Sequence, residues 1–214
     1  MIICSQMNVK IIRIVLLSFI FFAYANVSSF ASDKDEIREY AVEYFKLLQE
    51  KKYSECFDNI YPLLFDFVSK DFFVEAMEKM DNDSNINISF SGFRLGEVSD
   101  IVTYENIKYA VVEYTFDMVM KVEYDEDDKE QKALTVEFTL SALKGQFGED
   151  NVIFDNEKSA YLITPDSRMF AIQDPAYAGW KFLEDKENIQ SILEQILPER
   201  VLEELGTKKS ETKE

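Results

Sequence analysis

Apolar residues recur at helical spacing in the segment that follows residue 31. Over residues 33–51 they form one broad stripe, which predicts an amphipathic helix with Ser32 or Asp33 as its N-cap. The same spacing predicts a short helix over 53–60 and a third helix over about 70–80. The inward-facing residues expected in the third helix are Phe72, Phe73, Ala76, Met77 and Met80.

After residue 81 the apolar period changes from 3.6 to 2, which predicts β-strands. The even-numbered positions from 110 to 122 are apolar, whereas the odd-numbered positions mix charged and apolar residues. Residues 132–143 repeat the alternation, so they are predicted to pair with 108–124 in a hairpin whose tip is the acidic run 125–130. Gly92 interrupts an earlier strand and predicts a bulge or bend. Shorter strands are expected at 152–154, 159–164, 168–172 and 179–183.

The chain then returns to helical spacing, with one helix through 189–197 and a short one between Pro198 and Gly206. Helices on both sides of a run of antiparallel strands predict an α+β fold in which helices cover the apolar face of a curved sheet. The predicted organisation is a signal peptide at 1–31, one α+β domain at 32–186, a C-terminal helical extension of that domain at 187–206 and a disordered tail at 207–214.

The first thirty-one residues have the features of a secretory signal peptide. Lys10 and Arg13 precede an uncharged apolar run over 14–24, and Ser29-Phe30-Ala31 is a small-x-small cleavage site. A membrane anchor is the alternative, but the apolar run is shorter than the ~20 residues that a spanning helix needs. The sequence therefore predicts an exported protein, periplasmic or extracellular, with no membrane attachment after cleavage.

Charge and missing residue types exclude several functions. The formal charge is −18, and removal of 1–31 would take it to −20, so nucleic acid and anionic membranes are excluded as expected partners. The chain has no histidine, which excludes Ser-His-Asp and Cys-His catalysis and His-ligated metals. An enzyme would have to use carboxylates, Tyr or Lys. Cys56, the only thiol after residue 31, is predicted to be a buried structural residue.

The order of elements resembles the nuclear transport factor 2-like (NTF2-like, cystatin-like) superfamily, as an exported bacterial-type member. The resembling features are the long first helix over 33–51, the short helix ending near Pro62, the long hairpin of 108–124 with 132–143, and the strand Gly179-Trp180-Lys181-Phe182-Leu183. The resemblance implies a cone-shaped fold with a cavity. Its members include isomerases, dehydratases, small-ligand binders and protein-interaction modules. The catalytic members carry Asp, His or Tyr on the cavity wall, whereas this chain lacks His.

The first candidate site is a pocket for a small apolar ligand, because aromatic and Met side chains suit such ligands. Its predicted ligand-binding residues are Tyr114, Phe116, Met118, Phe138 and Trp180. Ordinary sheet core is the alternative explanation of the same alternation.

Two further candidate sites depend on carboxylates. Asp117 or Asp174, paired with a tyrosine such as Tyr114 or Tyr161, could act as a general acid if burial raised its pKa, and solvated surface acid is the alternative. A cation could bind the weak candidates Asp81, Asp83 and Asn85, but the spacing lacks the Gly and Glu of a calcium loop, and an Asx-rich turn explains the same residues more simply. No metal and no cofactor is therefore expected.

These observations favour an exported, non-catalytic domain that binds a small apolar ligand or a protein partner. One alternative is a cavity enzyme of the isomerase or dehydratase type that uses Asp and Tyr without His. Another is an acidic inhibitor of a basic exported protein. A homodimer is also predicted as an alternative, through an open sheet face carrying Ile107, Tyr109, Val111 and Val119.

Overall fold

The first helices form where the helical stripe predicts them. A computed structural model describes residues 32–83, 86–122 and 129–206, and in it helix α1 spans Asp33–Gln49. Helix α2 (Tyr53–Phe57) and a 3-10 helix (Pro62–Asp66) follow, and then helix α3 (Lys70–Asp81). The predicted signal peptide, the tail 207–214 and residues 125–128 of the acidic tip lie outside the described residues.

The described residues form a seven-stranded, antiparallel, curved sheet built around one long strand. Its strands are β1 (Ile86–Val98), β2 (Val102–Tyr104), β3 (Ile107–Val122), β4 (Val152–Asp155), β5 (Ala160–Ile163), β6 (Asp166–Gln173) and β7 (Lys181–Glu184). One edge of β3 pairs with β1 and β2. The other edge pairs with β6 along the first half of β3 and with β5 along its second half. Strand β7 lies beyond β6, and β4 lies beyond β5.

The predicted strand over 132–143 is wrong, because this segment lies within helix α4 (Lys129–Phe147). Its apolar residues also satisfy a helical template, since Leu140, Leu143 and Phe147 follow one another at steps of three and four. These three side chains pack on the sheet. Leu134 and Phe138 belong to the alternating apolar positions but not to this helical set, and they are 64% and 77% exposed. The hairpin with 108–124 is therefore absent from the described residues, where β3 pairs instead with β1, β2, β5 and β6.

The main hydrophobic core fills both sides of the first half of β3. Even-numbered residues of β3, such as Ala110 and Val112, lie on the side where Ile37 and Phe45 of α1 are buried, and we call this side the α1 face. On the opposite face Tyr109 and Val111 are also buried. The C-terminal residues buried in the same core are Leu193, Leu197 and Val201.

Helices α5 (Gln190–Ile196) and α6 (Glu199–Leu205) belong to this core. Arg168 of β6, which pairs with an odd-numbered residue of β3, donates a hydrogen bond to the Leu205 carbonyl at 2.8 Å. Because the C-terminal helices lie over this part of the opposite face, the predicted homodimer surface is not open at Tyr109 or Val111. Of the residues predicted for that contact, Val119 lies in the second half of β3 and is half-buried.

A smaller core lies under α4 on the α1 face, at the far end of the sheet. Its buried members are Met118, Val152, Tyr161 and Ile163. Within the described ranges, no helix is long and apolar enough to cross a membrane.

Gly92 forms the predicted bulge in β1. The β1–β3 register shifts between Ser91 and Arg94. Gly92 has φ +59°, a backbone conformation that residues other than glycine rarely adopt. Two residues further on, the Arg94 guanidinium donates hydrogen bonds to both carboxylate oxygens of Asp117, at 2.9 and 3.0 Å. A Cβ atom on Gly92 would overlap the Asp117 carboxylate.

Gly92→Ala is expected to lower the free energy of unfolding by about 1–3 kcal/mol, the usual cost of a non-glycine residue in a left-handed conformation. Urea denaturation measures this. Gly145→Ala is the matched control, because Gly145 lies in α4 with open space around its Cβ position and the change should stabilise the helix by up to about 1 kcal/mol. Equal stability of Gly92→Ala and the native chain would contradict the expectation.

Candidate functional site

The structure places three of the five predicted ligand-binding residues on one face of β3, whereas Trp180 lies nearer the start of that strand, because Lys181 pairs with Ile172 and Ile172 pairs with Tyr109. Tyr114, Phe116 and Met118 share the α1 face of β3, and Trp180 is fully buried just before β7. Tyr114 and Trp180 belong to the main core, Met118 belongs to the smaller core, and Phe116 packs against both. Phe138 is not part of this group, because 132–143 is helical and the ring is directed to solvent.

Five aromatic rings form a continuous layer on the α1 face, which we call the aromatic seam: Phe45 of α1, Phe90 and Phe93 of β1, and Tyr114 and Phe116 of β3. Phe93 stacks on Phe45 with a centroid distance of 4.4 Å and on Phe116 at 5.6 Å. Phe116 also lies 6.0 Å from Phe90 and 6.1 Å from Tyr114. These separations are typical of favourable aromatic pairs.

The bulge at Gly92 explains how β1 contributes two rings to this layer. Residues 90 and 93 of a regular strand would point to opposite faces, because the side-chain period is 2. The extra residue at Gly92 restores Phe93 to the face that carries Phe90. Phe90, Phe93 and Phe116 all remain half-buried, although they lie between two hydrophobic cores. The seam is therefore an apolar surface that the described part of the chain covers only in part.

A partly buried hydrogen bond fixes one end of the seam. The Tyr114 hydroxyl lies 2.6 and 2.7 Å from the two carboxylate oxygens of Glu184, to which it donates. Burial raises the pKa of Glu184, and the Tyr114 hydroxyl and the Lys186 ammonium oppose that rise. Burial and the Glu184 charge raise the pKa of Tyr114 far above its ordinary value. The tyrosine thus stays protonated, and its ring is held as a fixed wall of the seam.

The sequence did not point to Glu184, because its partner lies seventy residues away. The two residues meet only through the sheet: Tyr114 pairs with Ser167 of β6, and Met169 of β6 pairs with Glu184. An acidic residue at the end of the apolar run Phe182-Leu183 was the single local signal available.

Asp117 forms a surface ion pair and is not placed as a general acid. Its side chain lies on the face opposite the seam, where it is 43% exposed and pairs with Arg94. The Thr164 hydroxyl also donates to it at 3.2 Å. The hydrogen bonds from Arg94 hold the pKa of Asp117 below its ordinary value, which is opposite to the direction that a general acid needs.

Asp174 lies before Pro175 in the loop after β6, as predicted, but its tyrosine partner is different. The Tyr61 hydroxyl donates to Asp174 at 2.8 Å, and the backbone N–H of Ala176 donates at 2.8 Å. Tyr61 is buried. Its pKa is raised mainly by burial and in addition by the hydrogen bond to Asp174. Neither Tyr114 nor Tyr161 fills the role expected for it, since Tyr114 contacts Glu184 and Tyr161 donates to the Val136 carbonyl.

The weak cation candidates are not gathered into a site. Asp81 accepts hydrogen bonds from Lys51 at 2.8 Å and from the Tyr53 hydroxyl at 2.5 Å, so both of its oxygens serve the packing of α3. Asp83 is exposed, and Asn85 lies outside the described residues. Over 32–83, 86–122 and 129–206, no group of three or more Cys, Asp or Glu side chains could hold a metal ion.

Cys56 is a buried structural thiol, as predicted. It has no exposed surface, and its Sγ donates a long hydrogen bond of 3.7 Å to the Tyr44 carbonyl. Burial raises its pKa to about 12, so the reactive thiolate form is rare at neutral pH.

The chain can also be compared with known proteins. No protein-family model, curated protein or solved structure matches it. The resemblance to the NTF2-like superfamily therefore stays a prediction. The α+β class and the curved antiparallel sheet are features of the structure itself.

Proposed function

We propose that this chain is a non-catalytic binding domain that accepts a small apolar ligand at the aromatic seam. The observation that carries the proposal is the half-burial of Phe90, Phe93 and Phe116 between two well-packed cores. Each Å² of apolar surface that a ligand removes from water contributes about 25 cal/mol. A partly open aromatic surface with one polar wall is a common composition for a small-molecule site.

The chemistry of the neighbouring groups supports binding over catalysis. The Glu184 carboxylate, which contacts the seam at Tyr114, is engaged at both oxygens by that hydroxyl. Asp117 points away from the seam and is held ionised by Arg94. The Tyr114 hydroxyl can orient a ligand, but its proton is already donated to Glu184.

The proposal extends to location and family. Export to the periplasm or the extracellular space is supported by the charge and apolar pattern of residues 1–31. An NTF2-like cone is supported by the element order through β3, and the helical segment 132–143 departs from the hairpin expected of that superfamily.

Titration with the neutral apolar dye N-phenyl-1-naphthylamine tests the seam. Phe116→Leu keeps most of the side-chain volume but removes the ring that contacts both cores, so the dye should bind about three- to tenfold more weakly. Phe138→Leu is the matched control, since Phe138 lies on α4 outside the seam and the change should leave dye affinity unaltered.

Native mass spectrometry of the chain purified from its own host provides an independent test. A small molecule released by mild organic extraction should be retained less by Phe116→Leu than by Phe138→Leu. Equal dye affinity in the two variants, with equal retention of any released molecule, would overturn the proposal.

A further inference from the structure

A second apolar surface lies on the outer side of α3, away from the seam. Phe67 is 43% exposed and Phe72 is 60% exposed. The sequence predicted that Phe72 faces inward, which is wrong. Phe73, which was also predicted to face inward, does so, with its ring 5.6 Å from Phe57 and 6.3 Å from Phe65. Adjacent helix residues point about 100° apart, so Phe72 is left to solvent.

The backbone on both sides of these rings is held by hydrogen bonds. The Ser69 hydroxyl caps α3 by accepting from the Phe72 N–H at 3.2 Å. The Phe67 N–H donates to the Leu64 carbonyl at 3.1 Å, which closes the preceding 3-10 helix. The two exposed rings therefore flank an ordered helix start, five residues apart. Binding of a partner would therefore cost little backbone entropy in this chain.

Three exposed carboxylates lie close to the two phenylalanines in the sequence. Asp66 and Asp71 each adjoin one of the phenylalanines in sequence, and Glu75 lies one helical turn after Asp71; all three residues are exposed. Lys70, which is adjacent to Asp71 in the sequence, is paired with Asp58 at 2.5 Å, so its charge is balanced locally. We define Phe67, Phe72, Asp66, Asp71 and Glu75 as the α3 patch, a set of two exposed aromatic and three exposed acidic residues at the start of α3.

We propose that the α3 patch docks a cationic amphipathic segment of a partner protein. Its apolar side chains would cover Phe67 and Phe72, and its Lys or Arg side chains would face the three carboxylates. Cationic groups can also interact with the faces of exposed aromatic rings. Burial of the two rings provides affinity, whereas the three carboxylates provide specificity for a basic partner and faster association.

Charge decides between this occupant and a second copy of the chain. Each copy carries a formal charge of −18, and a two-fold contact through the α3 patch would place the same carboxylates against one another. Like charges across an interface are unfavourable. Anionic surfaces are disfavoured by the same repulsion. A basic partner is the occupant whose charge the patch complements.

Fluorescence anisotropy with labelled 14-residue peptides tests this inference. A peptide of Leu and Lys arranged as an amphipathic helix should bind the full chain, and its Leu/Glu counterpart should not. The double variant F67S/F72S should weaken binding at least tenfold. D71N/E75Q should also weaken binding and should reduce its dependence on salt concentration. L134S/F138S is the matched control, because it removes two exposed apolar side chains from α4 and should change nothing.

Three results would overturn the inference. The first is equal binding of the Leu/Lys peptide by F67S/F72S and L134S/F138S. The second is a salt dependence that D71N/E75Q leaves unaltered. The third is a dimer, detected by light scattering in the native chain and lost in F67S/F72S, which would assign the patch to a second copy. All the substituted residues are exposed, and circular dichroism verifies that each variant folds. Phe116→Leu should bind the peptide normally, which separates this inference from the seam proposal.

Discussion

Trp180→Ala is expected to lower the free energy of unfolding by about 3–5 kcal/mol, the usual cost of removing a buried tryptophan. Trp180 has no exposed surface and lies in the main core just before β7. Its indole N–H also donates to a Glu36 carboxylate oxygen at 3.3 Å, which ties the start of α1 to the sheet. The change therefore removes a large packed ring and one hydrogen bond between two layers of the fold.

Urea denaturation followed by far-UV circular dichroism measures this effect, since Trp180 is the only tryptophan and its fluorescence is lost with it. Phe138→Ala is the matched control and should change stability by no more than about 0.5 kcal/mol, because the ring is 77% exposed. If the two variants lost comparable free energy of unfolding, the packing of α4 would differ from that described above. Trp180→Phe gives a milder variant that stays folded if Trp180→Ala does not.

The contrast between Trp180 and Phe138 shows where sequence patterns stop being informative. Both were predicted to line one site. Phe138 was included because 132–143 alternates apolar and polar residues as a strand does. Leu140 and Leu143 of this segment also form a helical set with Phe147, and period alone cannot decide between two templates that both fit. Packing of that set against the small core selects the helix and leaves Phe138 in solvent.

Other features were predictable because one local cause dominates them. The stripe of α1 has no competing strand pattern, and its start at Asp33 is confirmed. Gly92 could be identified as a bulge because glycine adopts the required positive φ without the strain that most other residues incur. The consequence, that Phe90 and Phe93 share a face, requires the register of the whole β1–β3 pair. The Tyr114–Glu184 contact needs two successive strand pairings, so no local pattern contains it.

Tyr114→Phe is expected to lower the free energy of unfolding at pH 7 by about 1.5–3 kcal/mol, the range for a hydrogen bond to a charged group. The variant keeps the ring in the seam and removes the hydroxyl that contacts both Glu184 oxygens. That hydroxyl is the largest influence lowering the pKa of Glu184, which burial raises. Its loss leaves the buried carboxylate less stabilised than before, and the pKa of Glu184 should rise further.

The pH dependence of this cost identifies its cause. A carboxyl whose pKa is higher in the folded state binds its proton more tightly there than in the unfolded chain, so its contribution to stability falls as pH rises above the ordinary glutamate range. Because Tyr114→Phe raises that folded pKa further, its destabilisation should be small near pH 4 and should grow toward pH 7. Urea denaturation across this range measures the difference from the native chain. In a Glu184→Gln background, which cannot ionise, the same substitution should have a smaller cost that does not change with pH. A cost that is constant with pH in the native background would show that the hydroxyl acts through packing and not through the Glu184 charge.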